Sequence, residues 1–215
     1  LQTGKIVSTH GVHGEVKLLP WADGPEFLLQ FAFMGSYCAR KLLGVERPRV
    51  ALLNIGTEDS KGTDLQKQTL ALLRQAGERG DLHFIGNIEA NTALLGGADV
   101  IVADGYSGNI LLKTVEGAAK LLLGEMKKAF LSSTKSKLGA LLVKDSLGDV
   151  KKLLDPSEVG GTPFLGISKP VLKAHGSSDA RAIRNAVFRA VEYAQSGIIA
   201  DVEAHICLLY TSPSP

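Results

Sequence analysis

The sequence predicts an α/β protein, in which helices cover a mainly parallel sheet as the layers of a three-layer sandwich. Short apolar runs alternate along the chain with longer segments whose apolar residues recur at helical spacing. Several of these runs lack the polar–apolar alternation of a half-exposed strand, as expected for strands covered on both faces. Because strands and helices alternate in order, parallel strands joined by helical crossovers are favoured.

The composition is that of an ordinary globular protein. Of the 215 residues, 45% are hydrophobic and 21% are charged, and the formal net charge is +2. No apolar run approaches the ~20 residues of a membrane-spanning helix, and no secretory signal opens the chain. Two cysteines, Cys38 and Cys207, give no disulfide framework and fit a reducing cytoplasm. We therefore expect a cytoplasmic location and no cofactor or metal.

The first residues follow a different pattern from the rest of the chain. Residues 4–19 predict two short strands around a Gly-rich turn, which is typical of a β-barrel. The runs Gly4-Lys-Ile-Val7, Thr9-His-Gly11 and Gly14-Glu-Val-Lys17 resemble the opening of the ribosome maturation factor family RimM. Too few strands follow to close a barrel. His10 and His13 lack a third ligand nearby, so a polar loop is favoured over a metal pair.

The segment from Pro25 to Ala103 begins the alternation of helices and strands. Apolar residues at i, i+3, i+4 and i+7 predict an amphipathic helix from Pro25 to near Gly44. The nearly all-apolar run 49–55 predicts a strand buried on both faces. The elements expected next are a polar turn over 56–62, a helix over 65–76, a strand over 82–85 ended by Gly86-Asn87, and a strand over 100–103.

The stretch 99–117 is the strongest candidate for a functional site. Its strand ends at Asp104-Gly105, and Gly108-Asn109 opens a helix expected over 108–130. A strand, a Gly-punctuated turn and a helix start together direct backbone N–H groups towards an anion. Asp104 stands at the carboxyl end of the strand, where open α/β sheets bind ligands. Ordinary turn and cap chemistry is the alternative.

A basic segment follows over residues 127–152, with seven lysines, two aspartates and interleaved leucines. Lysines among apolar residues predict a surface that lies on an anionic membrane. A helical hairpin that buries its leucines against itself or a twin subunit is equally favoured, and both can hold. Nucleic acid is disfavoured because arginines and aromatic residues are scarce there. The residues assigned to membrane contact are Leu138, Leu141, Leu142, Lys135, Lys137 and Lys144.

The C-terminal part repeats the strand–turn–helix pattern. Gly160-Gly-Thr-Pro163 predicts a rigid turn, followed by strands over 164–167 and 171–174 and a Gly/Ser turn over 175–179. A helix follows, with Asp179 near its positive end. Residues 205–215 break these patterns, resemble translated adapter read-through and are expected to form an unstructured tail. The helix's expected buried stripe is Ala182, Ile183, Ala186, Val187, Ala190, Val191 and Ala194.

From Pro25 to about Val202 the chain resembles the C-terminal half of the bacterial phosphate acyltransferase family PlsX. The resemblance implies a Rossmann-like fold, similar to phosphotransacetylase and isopropylmalate dehydrogenase, incomplete and with a protruding helical hairpin. We expect an N-terminal part over 1–24, an acyltransferase part over 25–204 and a tail over 205–215, joined from two proteins near Pro25. The blocks that carry the resemblance are 29–36, 48–58 with Lys61-Gly62, 84–89, 104–109, 135–140, 160–163 and 173–179.

The resemblance implies transfer of an acyl group from acyl carrier protein to inorganic phosphate, giving acyl-phosphate for phospholipid synthesis. It also implies a homodimer on the inner face of the plasma membrane. The roles expected are phosphate binding by Lys61, donation by Asn109, orientation of a phosphate proton by Asp104, and donation to the leaving sulfur by His175. The further phosphate-binding residues expected are Gly105, Gly108, Asn87, Ser177 and Ser178.

These roles require 104–109 and 175–179 to lie side by side. Each residue has a plainer alternative, as a solvated lysine, a cap or a turn residue. No nucleophile elbow is visible, which favours direct attack by phosphate. Three other functions stay open: a ribosome maturation protein that associates with rRNA, a short-chain phosphate acetyl- or butyryltransferase that uses coenzyme A thioesters, and an inactive fragment.

Overall fold

The computed structural model describes residues 4–10, 15–20, 24–153, 160–174, 176 and 178–210. The chain divides into two units by its internal contacts. The sheet unit comprises Leu1–Asp104, Phe164–Val171 and Glu192–Pro215, and the helical unit comprises Gly105–Pro163 and Leu172–Val191.

The chain begins with an antiparallel pair of strands in the sheet unit. Strand β1 (Gly4–His10) pairs with β2 (Glu15–Pro20), with a shift in register between Ile6 and Ser8. The two short strands predicted for this region are therefore confirmed. The predicted turn between them lies outside the described residues.

A three-stranded parallel sheet is the centre of the sheet unit. Strands β3 (Arg49–Asn54), β4 (His83–Glu89) and β5 (Val100–Val102) are arranged in the order β4-β3-β5. Along β3, Val50, Ala51 and Leu52 are fully buried, so both faces of this strand are covered. The structure thus confirms the α/β class and the central strand predicted from its apolar run.

Two helices cover the face of β3 that carries Val50 and Leu52. Helix α1 (Pro25–Leu43) ends where Gly44 takes a positive φ of 68°, and α2 (Asp64–Glu78) follows β3. Burying these aliphatic side chains together contributes roughly 1.5–3 kcal/mol for each large one. The buried core of this unit consists of Leu28, Ala32, Phe33, Val50, Leu52, Leu70, Leu73, Ala76, Leu82 and Val102.

Strand β4 is longer than predicted. The sequence suggested that Gly86-Asn87 ends it, but the strand continues to Glu89 and leads into the short helix α3 (Ala90–Ala93). Gly86 has a φ of +99°, and the pairing with β3 slips by one residue at this point. The glycine therefore forms a bulge in β4, because it adopts a backbone conformation that other residues reach only at a cost.

The helical unit begins with α4 (Gly105–Leu131), α5 (Thr134–Leu142) and α6 (Lys144–Leu153). Helix α4 starts three residues before the predicted start at position 108. The predicted turn residues Gly105 and Gly108 thus belong to its first turn.

The strand predicted over 164–167 is wrong. The pairing residues are instead Thr162–Pro163, as strand β6, which is antiparallel to β7 (Leu172–Lys173). Residues 164–167 form no strand, although the Phe164 N–H donates to the Val171 carbonyl at 2.9 Å.

Helix α7 (Ala180–Gln195) buries only part of its predicted stripe. Ala182 and Ala186 are buried, whereas Ile183, Val187, Val191 and Ala194 are exposed. The close approach of Gly160 explains why the small residues of this helix are the buried ones. A Cβ at position 160 would lie 2.5 Å from the Ala186 backbone nitrogen. The backbone thus approaches the alanine face so closely that bulky side chains must lie elsewhere.

Helix α8 (Ile198–Tyr210) follows in the sheet unit, where Ile198 and Val202 are buried. It contacts α1, and Lys41 forms a 3.0 Å ion pair with Asp201. The helix includes residues up to 210 that the sequence assigned to an unstructured tail. Residues 211–215 lie outside the described part of the chain.

Candidate functional site

Polar side chains gather at the carboxyl ends of the three parallel strands. Asn54 ends β3, Asn87 lies two residues before the end of β4, and Asp104 follows β5 after one intervening residue. The carboxyl ends of parallel strands meet at one edge of a sheet, which is where open α/β sheets bind ligands. We call the carboxyl edge of this sheet, together with residues 55–63, the polar edge. Residues 55–63 by themselves are called the loop.

Asn54 fixes both ends of the loop. Its side chain is 7% exposed. Its Oδ1 accepts from the Ile55 N–H at 2.8 Å, and its Nδ2 donates to the Lys61 carbonyl at 3.2 Å. A buried amide that is hydrogen-bonded in this way is costly to remove, since its backbone partners would be left unsatisfied.

The loop is also held from β4 and from α2. Asn87 Nδ2 donates to the Glu58 carbonyl at 3.2 Å, and the Lys61 N–H donates to the same carbonyl at 3.1 Å. The Arg74 guanidinium donates two hydrogen bonds, of 2.7 and 2.8 Å, to the Asp59 carboxylate. The loop conformation is therefore defined by three elements.

Lys61 lies exposed on this fixed loop, and no ion pair involves its ammonium among the residues that the structure describes. A Cβ on Gly56 would lie 2.9 Å from Lys61 Cγ, so the lysine stem passes directly over that glycine. The Glu58 carboxylate lies over the same glycine, since that Cβ would be 2.6 Å from Glu58 Oε2. The Lys61 ammonium is the positive charge that this loop offers to an anion.

Gln66 connects the loop to Asp104. Thr63 and Gln66 form a capping box at the start of α2, in which Gln66 Oε1 accepts from the Thr63 N–H at 3.2 Å and from its hydroxyl. Gln66 Nε2 donates to Asp104 Oδ2 at 3.0 Å. Sequence reasoning missed both Asn54 and Gln66, although the Thr-x-x-Gln spacing is itself a capping-box signal.

The opposite edge of the sheet is fixed by an ion pair. The Arg49 side chain contacts both Asp99 carboxylate oxygens, at 3.0 Å from Nε and 2.9 Å from Nη2, and the Arg49 backbone N–H donates at 2.8 Å. These hydrogen bonds from Arg49 lower the pKa of Asp99 to about 2. Because Asp99 precedes β5 directly, this contact fixes the strand that ends near Asp104.

Cys38 offers no reactive thiolate. Burial in α1 raises the pKa of its thiol to about 11. The thiol therefore stays protonated at neutral pH and is a poor nucleophile.

The predicted site residues divide between the two units. Lys61, Asn87 and Asp104 are all tied to the polar edge in the sheet unit. Gly105, Gly108 and Asn109 belong to the first turn of α4, and Ser178 precedes α7, all in the helical unit. His175 and Ser177 lie outside the described residues. The predicted adjacency of 104–109 and 175–179 stays a prediction.

The leucines assigned to membrane contact lie exposed. Leu138, Leu141 and Leu142 of α5 are 62%, 67% and 81% exposed. Lys135 and Lys137 of α5 and Lys144 of α6 are exposed too. An apolar groove of about 480 Å³ lies nearby between α4 and α6, lined by Leu123, Met126, Phe130, Leu131, Leu147 and Val150.

The described part of the chain contains neither a candidate membrane-spanning helix nor a candidate metal cluster. None of its helices is long and apolar enough to span a bilayer. No cluster of three or more His, Cys, Asp or Glu residues there has a geometry that would hold a metal ion.

The fold is that of an α/β protein, with polar side chains gathered at the carboxyl edge of its parallel sheet. The chain belongs to the fatty acid synthesis protein family, whose sequence profile matches residues 23–201. The RimM N-terminal domain profile matches residues 1–33. Both resemblances predicted from the sequence are thereby confirmed.

The most similar relatives include proteins named phosphate acyltransferase. The one from Geobacillus sp. (strain WCH70) is 50% identical over 182 residues, which are 85% of this chain and 54% of that protein. The one from Clostridioides difficile (strain 630) is 44% identical over 182 residues, 85% of this chain and 52% of that protein. The chain thus spans about half the length of the curated relatives it matches.

Proposed function

We propose that this chain carries part of a phosphate acyltransferase, which transfers an acyl group from an acyl carrier protein thioester to inorganic phosphate. The observation that supports this most is the polar edge, where three residues expected from the family are each hydrogen-bonded. Asn54 donates to the Lys61 carbonyl, Asn87 donates to the Glu58 carbonyl, and Gln66 donates to the Asp104 carboxylate. The product is an acyl-phosphate, the activated acyl group needed for phospholipid synthesis.

The proposed reaction is direct attack. A phosphate oxygen adds to the thioester carbonyl carbon, the carbonyl oxygen becomes an oxyanion, and the C–S bond then breaks. The departing thiolate takes a proton, for which His175 is the proposed donor because a histidine titrates near neutral pH. Cys38 does not serve as an acyl carrier in this scheme, since its thiol stays protonated.

Phosphate is proposed to bind at the polar edge, beside Lys61 and Asp104. The Lys61 ammonium supplies a positive charge there. The backbone N–H of Gly105, which follows Asp104 directly at the start of α4, is a proposed donor. The proposed role of Asp104 is to orient the proton of a singly protonated phosphate by accepting its hydrogen bond. Gly108, Asn109, Ser177 and Ser178 stay predicted ligands on the family resemblance alone.

The test measures acyl-phosphate, trapped with hydroxylamine, after incubation of the chain with acyl carrier protein thioester and phosphate. Lys61→Ala is expected to lower turnover by about 100- to 1,000-fold, because one positive donor to a reacting oxyanion is lost. Lys67→Ala removes an exposed lysine from α2 and is the matched control, with turnover expected to be unchanged. Equal activities of the two variants would remove Lys61 from the mechanism.

The acyl donor needs a separate comparison. Coenzyme A thioesters and acyl carrier protein thioesters are supplied in parallel at equal concentration. Turnover with acyl carrier protein supports the proposal, whereas turnover with coenzyme A thioesters alone favours a short-chain phosphate acetyl- or butyryltransferase.

We further propose that α5 lies on an anionic membrane, as a peripheral contact on the cytoplasmic side. Exposed leucines beside lysines support this, because apolar insertion and attraction to anionic lipids act together. Leu141→Asp with Leu142→Asp is expected to abolish flotation with phosphatidylglycerol vesicles. Leu94→Asp with Leu95→Asp changes another exposed pair and should float normally. Equal flotation of both double variants would reject the contact.

The groove between α4 and α6 supports a second proposed partner, another copy of this chain. Its apolar lining is of the kind that homodimer interfaces bury. Phe130→Asp is expected to convert a dimer to a monomer in light scattering, and an unaltered chain that is already monomeric contradicts the proposal.

The N-terminal strands support a different candidate function. Residues 1–33 match the RimM N-terminal domain, and β1 and β2 form an antiparallel pair. The alternative proposal is therefore a ribosome maturation protein that associates with rRNA. Binding of rRNA by the chain, lost when residues 1–24 are deleted, would support it.

A further inference from the structure

Gln66 occupies an unusual place between the start of α2 and the end of β5. Its side chain is 8% exposed, and both ends of its amide are used. The oxygen accepts from Thr63, and the nitrogen donates to Asp104 at 3.0 Å, across 38 positions of sequence. A single buried amide thus joins the loop to the carboxylate at the sheet edge.

The chemistry of the partners fixes the orientation of this amide. If the amide were flipped, its NH₂ group would face the Thr63 N–H, and its oxygen would face the Asp104 carboxylate. Both contacts would be repulsive. The Nε2 hydrogens are therefore directed at Asp104, and a hydrogen bond to an ionised carboxylate is stronger than one between neutral groups.

A glutamine can both complete the capping box and donate to Asp104, whereas a glutamate can only complete the capping box. Either residue completes a capping box with a threonine. A glutamate at position 66 would place a second carboxylate against Asp104, and like charges at this distance repel. The cap alone does not explain why the residue here is an amide.

The loop leaves the space that Gln66 needs. A Cβ on Gly62 would lie 2.8 Å from Gln66 Cβ and 2.6 Å from Asn54 Oδ1. Gly62 has a φ of +88°, so the chain turns there in a conformation that favours glycine. The glutamine is thus held between this turn and Asp104.

We propose that Gln66 is a positioning residue that orients the Asp104 carboxylate at the polar edge. The hydrogen bond from Gln66 Nε2 holds Asp104 Oδ2 in place, and this determines the orientation of the carboxylate plane at the carboxyl end of the sheet. The proposal rests on the proposed function only for the role of Asp104 in phosphate binding. The Gln66–Asp104 contact and its consequences can be tested separately.

The first experiment tests the contact by urea unfolding. Gln66→Glu keeps the capping box, so a residue that only caps the helix gives an unchanged or higher urea midpoint. We expect a lower midpoint, because two carboxylates then face each other. Adding Asp104→Asn should restore the midpoint, since the asparagine amide can donate to the new carboxylate at position 66. An undiminished midpoint for Gln66→Glu, or no rescue by the second change, would overturn the contact.

The second experiment tests the positioning role by measuring the dissociation constant for inorganic phosphate. Gln66→Met removes the donor without adding charge and is expected to weaken binding about 5- to 20-fold, the effect of losing one good hydrogen bond. Gln68→Met makes the same change at an exposed position of α2 and is the matched control, and its affinity should stay within about twofold of the unaltered chain. Equal losses in both variants would overturn the positioning role.

A spectroscopic signature separates positioning from a general loss of structure. The side-chain NH₂ resonances of Gln66 should move in Asp104→Asn and remain in place in Gln68→Met, which changes an exposed glutamine of α2. Resonances that stay in place in Asp104→Asn would refute the contact. If the unaltered chain binds no phosphate, the proposed function and the positioning role both fail. The urea experiment then still reports on the contact itself.

Discussion

Gly62→Ala is the change that most sharply tests how the loop is built. At this position the chain turns with a φ of +88°, and a new Cβ would meet Asn54 Oδ1 at 2.6 Å and Gln66 Cβ at 2.8 Å. Both neighbours are buried and hydrogen-bonded, so neither can move away without breaking a contact of the polar edge. The variant should therefore lose stability and phosphate affinity together.

Two separate costs lower the free energy of unfolding of Gly62→Ala. Holding an alanine in the left-handed region costs about 1–2 kcal/mol. Forcing a methyl group into packed surroundings costs about 1–3 kcal/mol more. The expected loss in the free energy of unfolding is therefore about 2–5 kcal/mol.

Gly80→Ala is the matched control for the first cost. Gly80 has a φ of +79°, and no atom lies within 4 Å of its would-be Cβ. This variant should lose only the conformational share, about 1–2 kcal/mol, and should keep its phosphate affinity.

Both variants are measured by urea titration followed by circular dichroism, and by binding of inorganic phosphate. The free energies of unfolding of the two variants should differ by about 1–3 kcal/mol, and only Gly62→Ala should bind phosphate more weakly. Equal stabilities would show that the loop does not pack as closely on Asn54 and Gln66 as described.

Three further predictions concern the rest of the sheet unit. Asp99 has a folded pKa lowered from 3.8 to about 2 by Arg49, so its stabilising contribution is present above pH 3.8 and is lost as the pH falls towards 2. Asp99→Asn should therefore lose less stability over that window than the unaltered chain in acid titration followed by circular dichroism. Leu73→Ala should cost about 2–5 kcal/mol in urea unfolding, because the side chain is fully buried in the core. Burial raises the pKa of the Cys38 thiol to about 11. In a Cys207→Ser background, Cys38 should therefore react slowly with iodoacetamide at mildly alkaline pH and quickly in concentrated urea. Rapid labelling of the folded chain would contradict this.

The elements that the sequence predicts best are those with a strong local pattern. Helix α1 was expected from Pro25 to near Gly44, and it spans Pro25–Leu43, because apolar spacing and a terminal glycine act within one segment. Strand β3 was expected over 49–55 and spans Arg49–Asn54 for the same reason. Boundaries set by one element's own residues are therefore readable from the sequence.

The errors arise where a second element decides the outcome. Gly86 could end a strand or bulge it, and only its pairing with β3 makes it a bulge. Ile183 and Val187 share an apolar pattern with Ala186, but close contact with Gly160 selects the alanine face for burial. Such choices depend on contacts that no local pattern contains.

The candidate site shows the same division. Lys61 and Asp104 were found because they stand in Gly-flanked turns after predicted strands. Gln66 was missed because its link to Asp104 depends on the pairing of β3 with β5, which the sequence does not specify. The Thr-x-x-Gln spacing marks Gln66 as a helix cap, but it does not indicate the contact with Asp104.

The most direct test of this account is an NMR titration of the ¹⁵N-labelled chain with inorganic phosphate. If the polar edge binds phosphate, the backbone amides of Lys61, Gly62 and Gly105 should shift in a saturable manner, and those of Lys135 and Lys137 should not. Shifts confined to the α5 lysines, or no saturable shift at all, would contradict the claim that the carboxyl edge of the sheet binds phosphate.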